Sequence, residues 1–401
     1  MSAQQFPIAV VGGGPAGLTA AIAVAAAGID TVLVAGSRSA PDHRTTALLA
    51  GSVRALDALG AWSGCRPHAA PLRVLRIIDA TSRLVRAPEV AFAADEIGLD
   101  AFGYNIDNSL LRAALTRRAR ELPALRLIED EAAALEFAPT EVGLRLKAGR
   151  SLAAQLAIGA DGRHSLCRAA AGIAVERRSY PQTALTLNLR HARPHHDTST
   201  ELHTERGPFT LVPLPGQRSS LVLVTAPDEA ARLAALPDAA LAEELERRSH
   251  SILGRVAIEP GRSLFPLAVE SAARLSGRRL ALIGEAAHVM APIGAQGLNL
   301  GLRDAATIAE LVVDAHRRGA DIGAARLTGR YEHIRRADVA SRTLAVDLLN
   351  RSLLSEFLPL HATRGMGLFL MQKIGPLRRA VMREGVAPLA SQPRLMRGEP
   401  L

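Results

Sequence analysis

The glycine-rich segment at residues 12–17 constrains the fold of this chain more than any other part of the sequence. It reads GGGPAG, follows the short apolar run IAVV at residues 8–11 and precedes an alanine-rich stretch that is predicted to be helical. Glycines at this spacing permit a tight turn and bring the backbone close to a pyrophosphate, which then lies at the positive end of the helix that begins near Pro15. Gly28 suits the helix C-cap, and the run TVLV at residues 31–34 suits a second strand. The pattern predicts a βαβ unit, a parallel sheet with helices on its faces, and a bound dinucleotide.

One part of the usual dinucleotide fingerprint is missing. An acidic residue about 20 positions after the glycines ordinarily holds a ribose hydroxyl, but residues 34–38 read VAGSR. The nearest acids, Asp30 and Asp42, are poorly placed for that role. We therefore expect the adenosine ribose to be held by other groups or to be held more weakly.

Two further glycine-bearing segments each follow an apolar run. Residues 160–162 read ADG, and residues 284–299 read GEAAHVMAPIGAQGLN. The latter segment ends a loop and begins a helix, whose N-terminal amides would face an anion such as a reduced flavin. Glu285 is suited to hydrogen-bond a ribityl chain, although a helix cap followed by a solvated acid would give the same pattern. Together the three segments predict that one FAD is bound in a flavin oxidoreductase.

Composition argues against several other classes of protein. The chain has 401 residues, of which 48% are hydrophobic, so it is long enough for two or three domains. Its net charge of +9 comes almost entirely from arginine, and aromatic residues make up only 3%, which argues against nucleic-acid binding. No apolar run reaches the ~18 residues of a membrane helix, and the first residues do not have the pattern of a signal peptide. We therefore expect a cytoplasmic enzyme.

Periodicity predicts a second domain inserted into the first. Between positions 183 and 225, alternating residues such as Leu185, Leu187 and Leu189 lie on one face of a strand, which indicates an antiparallel sheet. A single helix is expected from Pro227 to about His250. The expected fold class is α/β, with a Rossmann-like FAD-binding domain (parallel sheet with a βαβ unit) interleaved with an antiparallel-sheet substrate domain, and a helical C-terminus. The predicted boundaries give the FAD-binding domain residues 1–71, 103–175 and 277–330, the substrate domain residues 72–102 and 176–276, and the C-terminal helical region residues 331–401.

The three segments together resemble a known family. They are similar to those of the aromatic-ring flavoprotein hydroxylases of the 4-hydroxybenzoate hydroxylase type, and most of all to those of the ubiquinone-biosynthesis hydroxylases. The family's third motif usually reads GDAAH and continues PxxGQGLN; here Glu285 replaces the aspartate, and the small pair at residues 294–295 is reversed. The middle motif, GADGxxSxxR, is matched by residues 159–168.

Other matches extend the resemblance over most of the chain. Residues 44–48 and 59–62 resemble the family's flavin-contacting arginine segment. Residues 104–108 with Arg112 resemble the stretch whose last position usually offers a glutamine to FAD. Residues 207–214 are similar to the signature of the substrate sheet. Two C-terminal stretches, residues 347–351 and 364–368, resemble the ubiquinone subgroup.

The resemblance implies a reaction and a set of site residues. NADPH or NADH reduces FAD, oxygen adds at the flavin C4a, and the hydroperoxide hydroxylates the ring of a polyprenylated phenol in ubiquinone biosynthesis. No catalytic acid is firmly assigned. The flavin-face pocket is expected to contain His288, Pro292 and Gly294, with a structural role as the alternative for His288. The residues predicted to bind the cofactor are Gly12, Gly14, Pro15, Ala16, Gly17, Arg44, Arg112, Asp161, Gly284, Glu285, Ala295, Gln296, Gly297, Leu298 and Asn299.

Two other functions are compatible with the same motifs. A hydroxylase of a small soluble aromatic acid would need a buried arginine for the carboxylate, whereas a polyprenyl tail needs an apolar channel. The leucines of the inserted sheet favour the channel: Leu185, Leu187, Leu211, Leu221 and Leu223. The other alternative is a non-catalytic flavin-binding subunit of a membrane-associated biosynthetic complex.

Three remaining signals have ordinary explanations. No metal site is predicted, because four histidines of the inserted domain lack metal-ligand spacing and are expected in a loop, namely His191, His195, His196 and His203. Solvated helix surfaces are expected for the pairs Arg247-Arg248, Arg317-Arg318 and Arg335-Arg336. The basic and apolar stretch at residues 351–379 suits either packing against the FAD-binding domain or peripheral attachment to the inner face of an anionic membrane.

Overall fold

A computed structural model of the chain describes residues 4–36, 42–81, 88–290, 295–354, 374–386 and 392–401. The helices are α1 (Pro15–Ala26), α2 (Ala50–Ala58), α3 (Asn108–Arg120), α4 (Leu166–Ala170), α5 (Pro227–Ala235), α6 (Asp238–Arg248), α7 (Gln296–Arg317), α8 (Ala325–Leu354), α9 (Gly375–Val386) and α10 (Arg394–Arg397). The strands are β1 (Gln4–Val11), β2 (Thr31–Val34), β3 (Thr45–Leu49), β4 (Ala69–Pro71), β5 (Val74–Asp79), β6 (Val90–Ala93), β7 (Gly103–Asp107), β8 (Leu125–Ile128), β9 (Ala132–Phe137), β10 (Val142–Leu146), β11 (Ser151–Gly159), β12 (Val175–His191), β13 (Thr198–Thr204), β14 (Gly207–Leu214), β15 (Arg218–Thr225), β16 (Val256–Ile258), β17 (Ser263–Ala272), β18 (Ser276–Gly277), β19 (Leu280–Leu282) and β20 (His288–Val289).

The first sheet has the predicted parallel core. Six of its strands run in the order β18-β19-β11-β1-β2-β8, and the β19-β11, β11-β1, β1-β2 and β2-β8 pairs are parallel. Strand β10 pairs antiparallel with β11 and with β9. Helix α1 covers this core and is buried from Gly17 to Ala25, which explains its alanine content. Small side chains let a helix lie close to both the sheet and a second helix, here α7. The βαβ prediction is therefore confirmed.

Within the described residues, the second sheet contains nine strands in an order that the sequence did not fully predict. Its long central strand, β12, pairs antiparallel with β15, β16 and β17. The expectation of a wholly antiparallel sheet is wrong in one place, because β5 pairs with β13 in parallel. Strand β20, from the region assigned to the FAD-binding domain, also joins this sheet through β17. The domain boundaries themselves stay a prediction.

One face of the second sheet is closed by two helices. The single helix expected from Pro227 to His250 is instead two, α5 and α6, because Leu236 is held extended before Pro237. Both helices pack their leucines, Leu233 from α5 and Leu241 and Leu245 from α6, onto the sheet. The sheet residues in this cluster include Leu185, Leu187, Leu211, Leu221 and Leu223, all at most 4% exposed. These leucines form a core and do not line an open channel, so they lend no support to a lipid substrate.

A small third sheet lies against the second sheet. It has the order β3-β7-β4 and was not predicted. From β7, Asn105 donates hydrogen bonds to the Pro213 carbonyl oxygen at 2.9 Å and to Ser220 Oγ at 3.2 Å, both in the second sheet. Among the residues described, no helix combines the length and apolar content needed to cross a bilayer.

Candidate flavin site

The three predicted segments emerge at one edge of the first sheet. They follow β1, β11 and β19, which are neighbours in that sheet. Val11 is paired with Gly159, and Gly159 with Leu282, so the three parallel strands end at the same level. Ligands of open parallel sheets bind beyond the carboxyl ends of the strands. The structure thus brings together three segments that are far apart in the sequence.

The first and second segments are in backbone contact. A Cβ built on Gly12 would lie 2.2 Å from the Ala160 carbonyl oxygen, and one built on Gly17 would lie 2.0 Å from the Gly12 carbonyl oxygen. Gly12 also has a φ of +116°, which L side chains rarely adopt. Only glycine fits at these two positions. By contrast, a Cβ on Gly14 would have no atom within 4 Å, so this glycine leaves room for a ligand.

The first and third segments meet where α1 crosses α7. A Cβ built on Gly284 would lie 3.3 Å from Ala16 Cβ, and one built on Gly301 would lie 3.1 Å from Gly284 Cα. Gly284 has a φ of +59° and begins a short 3-10 turn that includes Glu285. Glu285 itself is exposed. The close approach fixes the turn against both helices.

Two helix N-termini at this edge lack side-chain caps. Helix α1 begins at Pro15 after Gly14, and α7 begins at Gln296 after Ala295, whose φ is +54°. The first N–H groups of a helix have no partner within it, and an anion can accept from them. On α7 these donors belong to the segment from Ala295 to Leu298, including Gly297. Pro292 and Gly294 lie outside the described residues.

Asn299 uses its side chain to hold the start of α7. Its Oδ1 accepts from Leu49 N at 2.8 Å and from Ser52 Oγ at 2.7 Å. Its Nδ2 donates to the carbonyl oxygens of Ala47 at 2.8 Å and Ala295 at 2.6 Å. With donors and acceptor all engaged by the protein, the amide group positions α7 against β3 and α2 rather than pointing to a ligand.

Asp161 has one engaged and one open carboxylate oxygen. Its Oδ2 accepts from Cys167 N at 2.9 Å, which fixes the start of α4. Its Oδ1 is buried and has no hydrogen-bond partner within the described residues. An unsatisfied buried oxygen needs an explanation, and a ligand hydroxyl would supply one. Together with the glycine contacts and the open helix N-termini, this oxygen fits a dinucleotide such as FAD.

Arg44 lies between the flavin segments and the second sheet. It forms a bidentate ion pair with Asp42 at 2.8 Å, and its guanidinium lies 5.8 Å from the centre of the Phe265 ring. The hydrogen bond to Asp42 is the main cause of its raised pKa, and the nearby charge of Glu285 adds to it.

Arg112 is partly buried on α3, one turn beyond Asn108, whose Oδ1 accepts from Thr46 Oγ1 at 2.5 Å.

Beneath the third segment lies a charged network that sequence reasoning missed. Asp304 of α7 accepts from the Gly284 amide at 3.0 Å, contacts His288 Nε2 at 2.7 Å, and accepts from Arg335 Nε at 2.6 Å. Burial acts to raise the pKa of Asp304, but the charges of His288 and Arg335 lower it overall. His288 therefore lies in the protein interior, and its contact with Asp304 favours the structural role.

The assignment of Arg335 to a solvated surface is wrong. The side chain is 2% exposed and also donates to Asp338 at 2.5 Å. Asp338 in turn accepts from Arg303 and Arg342, and Arg342 donates to Gln296 Oε1 at 3.1 Å. The network thus runs from His288 to the first residue of α7. A usable signal existed, since Arg335 shares a helical face with the buried residues Tyr331 and Val339.

The histidines of the inserted domain are not gathered in one loop as expected. His191 lies on β12 and His203 on β13, while His195 and His196 lie between these strands. His191 contacts the Arg193 carbonyl oxygen at 2.7 Å and His203 contacts Glu201 at 2.7 Å. Within the described part of the chain, no group of three or more His, Cys, Asp or Glu side chains has the arrangement of a metal site.

The fold and the converging segments define an FAD-binding oxidoreductase. Residues 5–345 match the family described as FAD binding domain. The chain is 36% identical to the ubiquinone hydroxylase UbiL of Rhodospirillum rubrum over 98% of its length and 93% of the relative. It is 30% identical to the 3-demethoxyubiquinol 3-hydroxylase of Escherichia coli, over 96% and 99% of the two chains.

Solved structures show the same fold. The p-nitrophenol 4-monooxygenase PnpA of Pseudomonas putida superposes with a TM-score of 0.79 at 20% identity, covering 96% of this chain and 98% of the other. Klebsiella pneumoniae HpxO, solved with FAD and uric acid, gives a TM-score of 0.75 at 20% identity, covering 95% and 97%. The chain belongs to the family of FAD-dependent aromatic-ring monooxygenases that includes the ubiquinone hydroxylases. Its cofactor is FAD.

Proposed function

We propose that this enzyme hydroxylates the aromatic ring of a polyprenylated phenol in ubiquinone biosynthesis, with oxygen and either NADPH or NADH as co-substrates. The observation that carries the proposal is the 36% identity, over nearly the whole chain, to a ubiquinone hydroxylase. When bound, FAD supplies the oxygen-activating chemistry. The protein's own residues bind it, orient it and exclude water from the reacting face.

The cofactor-binding role of the glycine segments is part of this proposal. The amides of residues 16–17 at the start of α1 would receive the pyrophosphate, and those at the start of α7 would stabilise negative charge on the reduced ring. Arg44, Asp161 and Glu285 lie on segments that meet at the same edge. Arg112 lies one helical turn after Asn108 on α3. The backbone N–H of Asn108 donates to the Arg44 carbonyl oxygen at 2.9 Å, which holds the start of α3 beside the Arg44 segment.

The face of the second sheet opposite the leucine core supports an apolar substrate pocket. Ala184, Val224 and Leu267 are buried there, and Val222, Phe265 and Met290 pack against them while only partly buried. Met290 lies within the third flavin segment. Because Arg44 also contacts Phe265, this face adjoins two flavin segments at once. We place the phenol ring against this face.

The buried arginines argue against a small aromatic acid as substrate. Three arginines are buried among the described residues, and each already pairs with a protein carboxylate: Arg279 with Asp321, Arg303 with Asp338, and Arg335 with Asp304. A substrate carboxylate would have to compete with these pairs. Enzyme assays with 4-hydroxybenzoate and with a polyprenylphenol, run side by side, separate the two substrate classes.

The decisive experiment uses the purified protein loaded with FAD. It is supplied with NADPH or NADH, air and a polyprenylphenol, and products are resolved by liquid chromatography and mass spectrometry. The proposal predicts a phenol carrying one additional oxygen. Absence of product from every polyprenylphenol, with FAD bound, would contradict it and favour the non-catalytic subunit. Metabolite profiling of a deletion strain then names the precursor that accumulates.

Helix α9 supports peripheral attachment to a membrane. Ile374, Leu377 and Val381 lie on one side of the helix and are 42–47% exposed. The other side is anchored, since Met382 is buried and Arg378 forms an ion pair with Glu96. The exposed arginines Arg379 and Arg383 each follow an apolar residue of the stripe by two positions, so they add positive charge on a different side of the helix. An anionic bilayer complements both features, and a polyprenyl substrate resides there.

Flotation with vesicles of phosphatidylcholine and phosphatidylglycerol tests this attachment. The wild-type protein is expected to float at low salt, and the double variant Leu377→Asp/Val381→Asp is expected to stay in the dense fraction. Leu264→Asp is the matched control, because Leu264 is similarly exposed (40%) but lies on β17. If the wild type stays in the dense fraction, or if the control variant loses flotation equally, the attachment through α9 is wrong.

A further inference from the structure

The end of β2 lacks the acid that normally holds the adenosine ribose. Ala35 and Gly36 follow Val34 directly, and the Ala35 amide donates to the Ile128 carbonyl oxygen at 3.0 Å. The last residues of β2 therefore run alongside the end of β8. Because β2 and β8 are parallel, the loop after β8 emerges at the same edge as the glycine segment.

A carboxylate from that loop occupies the space above Gly36. A Cβ built on Gly36 would lie 2.6 Å from Glu131 Cγ and 2.7 Å from Glu131 Oε1. A side chain at position 36 and the observed Glu131 side chain therefore exclude each other. Glycine at position 36 therefore admits an acid from the loop after the neighbouring strand β8, in place of an acid of its own.

Glu131 is held in this position from one side only. Its Oε2 forms an ion pair with Lys147 Nζ, and its backbone carbonyl oxygen accepts from Lys147 N at 2.9 Å. The other oxygen, Oε1, is the one beside Gly36. The side chain is 54% exposed, so a ligand at the edge can reach it. A carboxylate has enough lone pairs to accept from both the lysine and a hydroxyl.

We propose that Glu131 Oε1 accepts a hydrogen bond from a ribose hydroxyl of the adenosine half of FAD. The residue thereby replaces the acid that is missing from β2. The inference rests on the FAD chemistry of the proposed function, but it does not depend on which phenol is hydroxylated.

Titration of the apoprotein with FAD, followed by flavin fluorescence, tests the inference without using activity. Glu131→Gln is expected to raise the Kd for FAD by about tenfold or more, as for loss of one hydrogen bond to a charged group. Its Kd for FMN, which has no adenosine, is expected to equal that of the wild type. Glu129→Gln is the matched control, since it removes one exposed carboxylate from the same loop and should leave both constants unchanged.

A rescue variant provides the converse test. The Ala35 side chain faces the glycine segment, because a Cβ built on Gly13 would lie 2.6 Å from Ala35 Cβ. Ala35→Glu in the Glu131→Gln background is therefore expected to restore much of the affinity for FAD. An unchanged Kd for FAD in Glu131→Gln, or an equal loss of affinity for FMN, would overturn the assignment of Glu131 but not the proposed function. A wild-type apoprotein that binds no FAD would overturn the proposed function as well.

Discussion

Nε2 of His288 lies 2.7 Å from Oδ2 of Asp304, and both side chains are buried from solvent. The same carboxylate accepts from the Gly284 amide and from Arg335. A residue of α7 therefore fixes both the turn that opens the third flavin segment and the position of α8. We therefore expect flavin binding to depend on this network, although the network itself need not touch the flavin.

Asp304→Asn is predicted to destabilise the fold strongly. The substitution removes the charge of the more buried of the two carboxylates that pair with Arg335, and breaking one side of a buried ion pair costs about 3–5 kcal/mol. Urea denaturation of the apoprotein measures the change in the free energy of unfolding. Glu89→Gln is the control, since it breaks an exposed pair with Arg76 and should change this free energy little. Equal effects of the two variants would contradict the structural role of Asp304.

The depressed pKa values of two carboxyl groups, Asp304 in this network and Glu229 on α5, predict an acid-sensitive fold. The pKa of Asp304 lies below the usual 3.8: burial opposes ionisation, but His288 and Arg335 outweigh it. The hydrogen bond from Arg232, with further help from Arg248, lowers the pKa of Glu229 to about 2. Because both pKa values are depressed in the folded state, their contribution is present above about pH 4 to 5 and is lost as the pH falls toward 2. Urea denaturation between pH 7 and pH 2 should show this loss, with a shallower slope in Asp304→Asn. A free energy of unfolding that stays level down to pH 2 would contradict it.

Alanine substitutions at two nearby glycines are predicted to have different effects. Gly17→Ala would place a Cβ 2.0 Å from the Gly12 carbonyl oxygen, so we expect the apoprotein itself to lose stability. Gly14→Ala meets no protein atom within 4 Å and should leave the apoprotein stable while weakening FAD binding, because it lies where the pyrophosphate approaches. Thermal unfolding and FAD titration of each variant separate the two effects. A Gly14→Ala variant with unchanged FAD affinity would contradict this placement of the pyrophosphate.

Two successive residues of β15 are predicted to have different roles. Leu221 is fully buried in the leucine core, so Leu221→Ala should cost about 2–5 kcal/mol of stability. Val222 packs on the opposite face with Phe265 and Met290, so Val222→Thr should raise KM for the phenol with a smaller loss of stability. Steady-state kinetics with urea denaturation distinguishes the roles. A KM unchanged in Val222→Thr would contradict the position given to the substrate.

Local patterns predicted the flavin edge because each of its parts is encoded within a few residues. The glycine segments, the strands before them and the helix starts after them are short-range features, and parallel strands bring their ends together without further information. Side-chain pairings between distant segments could not be predicted from the sequence. The partner of Asp304 lies 31 residues away in Arg335, and nothing in the spacing of either helix indicates the other.

The role of the inserted leucines depended on packing rather than on pattern. Alternation predicted that Leu185 and Leu187 share a face, which is confirmed. It could not predict that α5 and α6 would cover that face, and so it could not distinguish a core from a channel. Similarly, the missing acid after β2 is visible in the sequence, but the approach of Glu131 to Gly36 arises only from the adjacency of β8.

The most direct test of the central claim is the source of the oxygen in the product. The FAD-loaded enzyme is supplied with NADPH or NADH and a polyprenylphenol under heavy-isotope dioxygen, and the product is analysed by mass spectrometry. The account predicts that the hydroxylated ring carries one heavy oxygen atom and that the product formed in heavy-isotope water under ordinary air carries none. A product that takes its oxygen from water, or flavin-bound protein that forms no hydroxylated product, would contradict it.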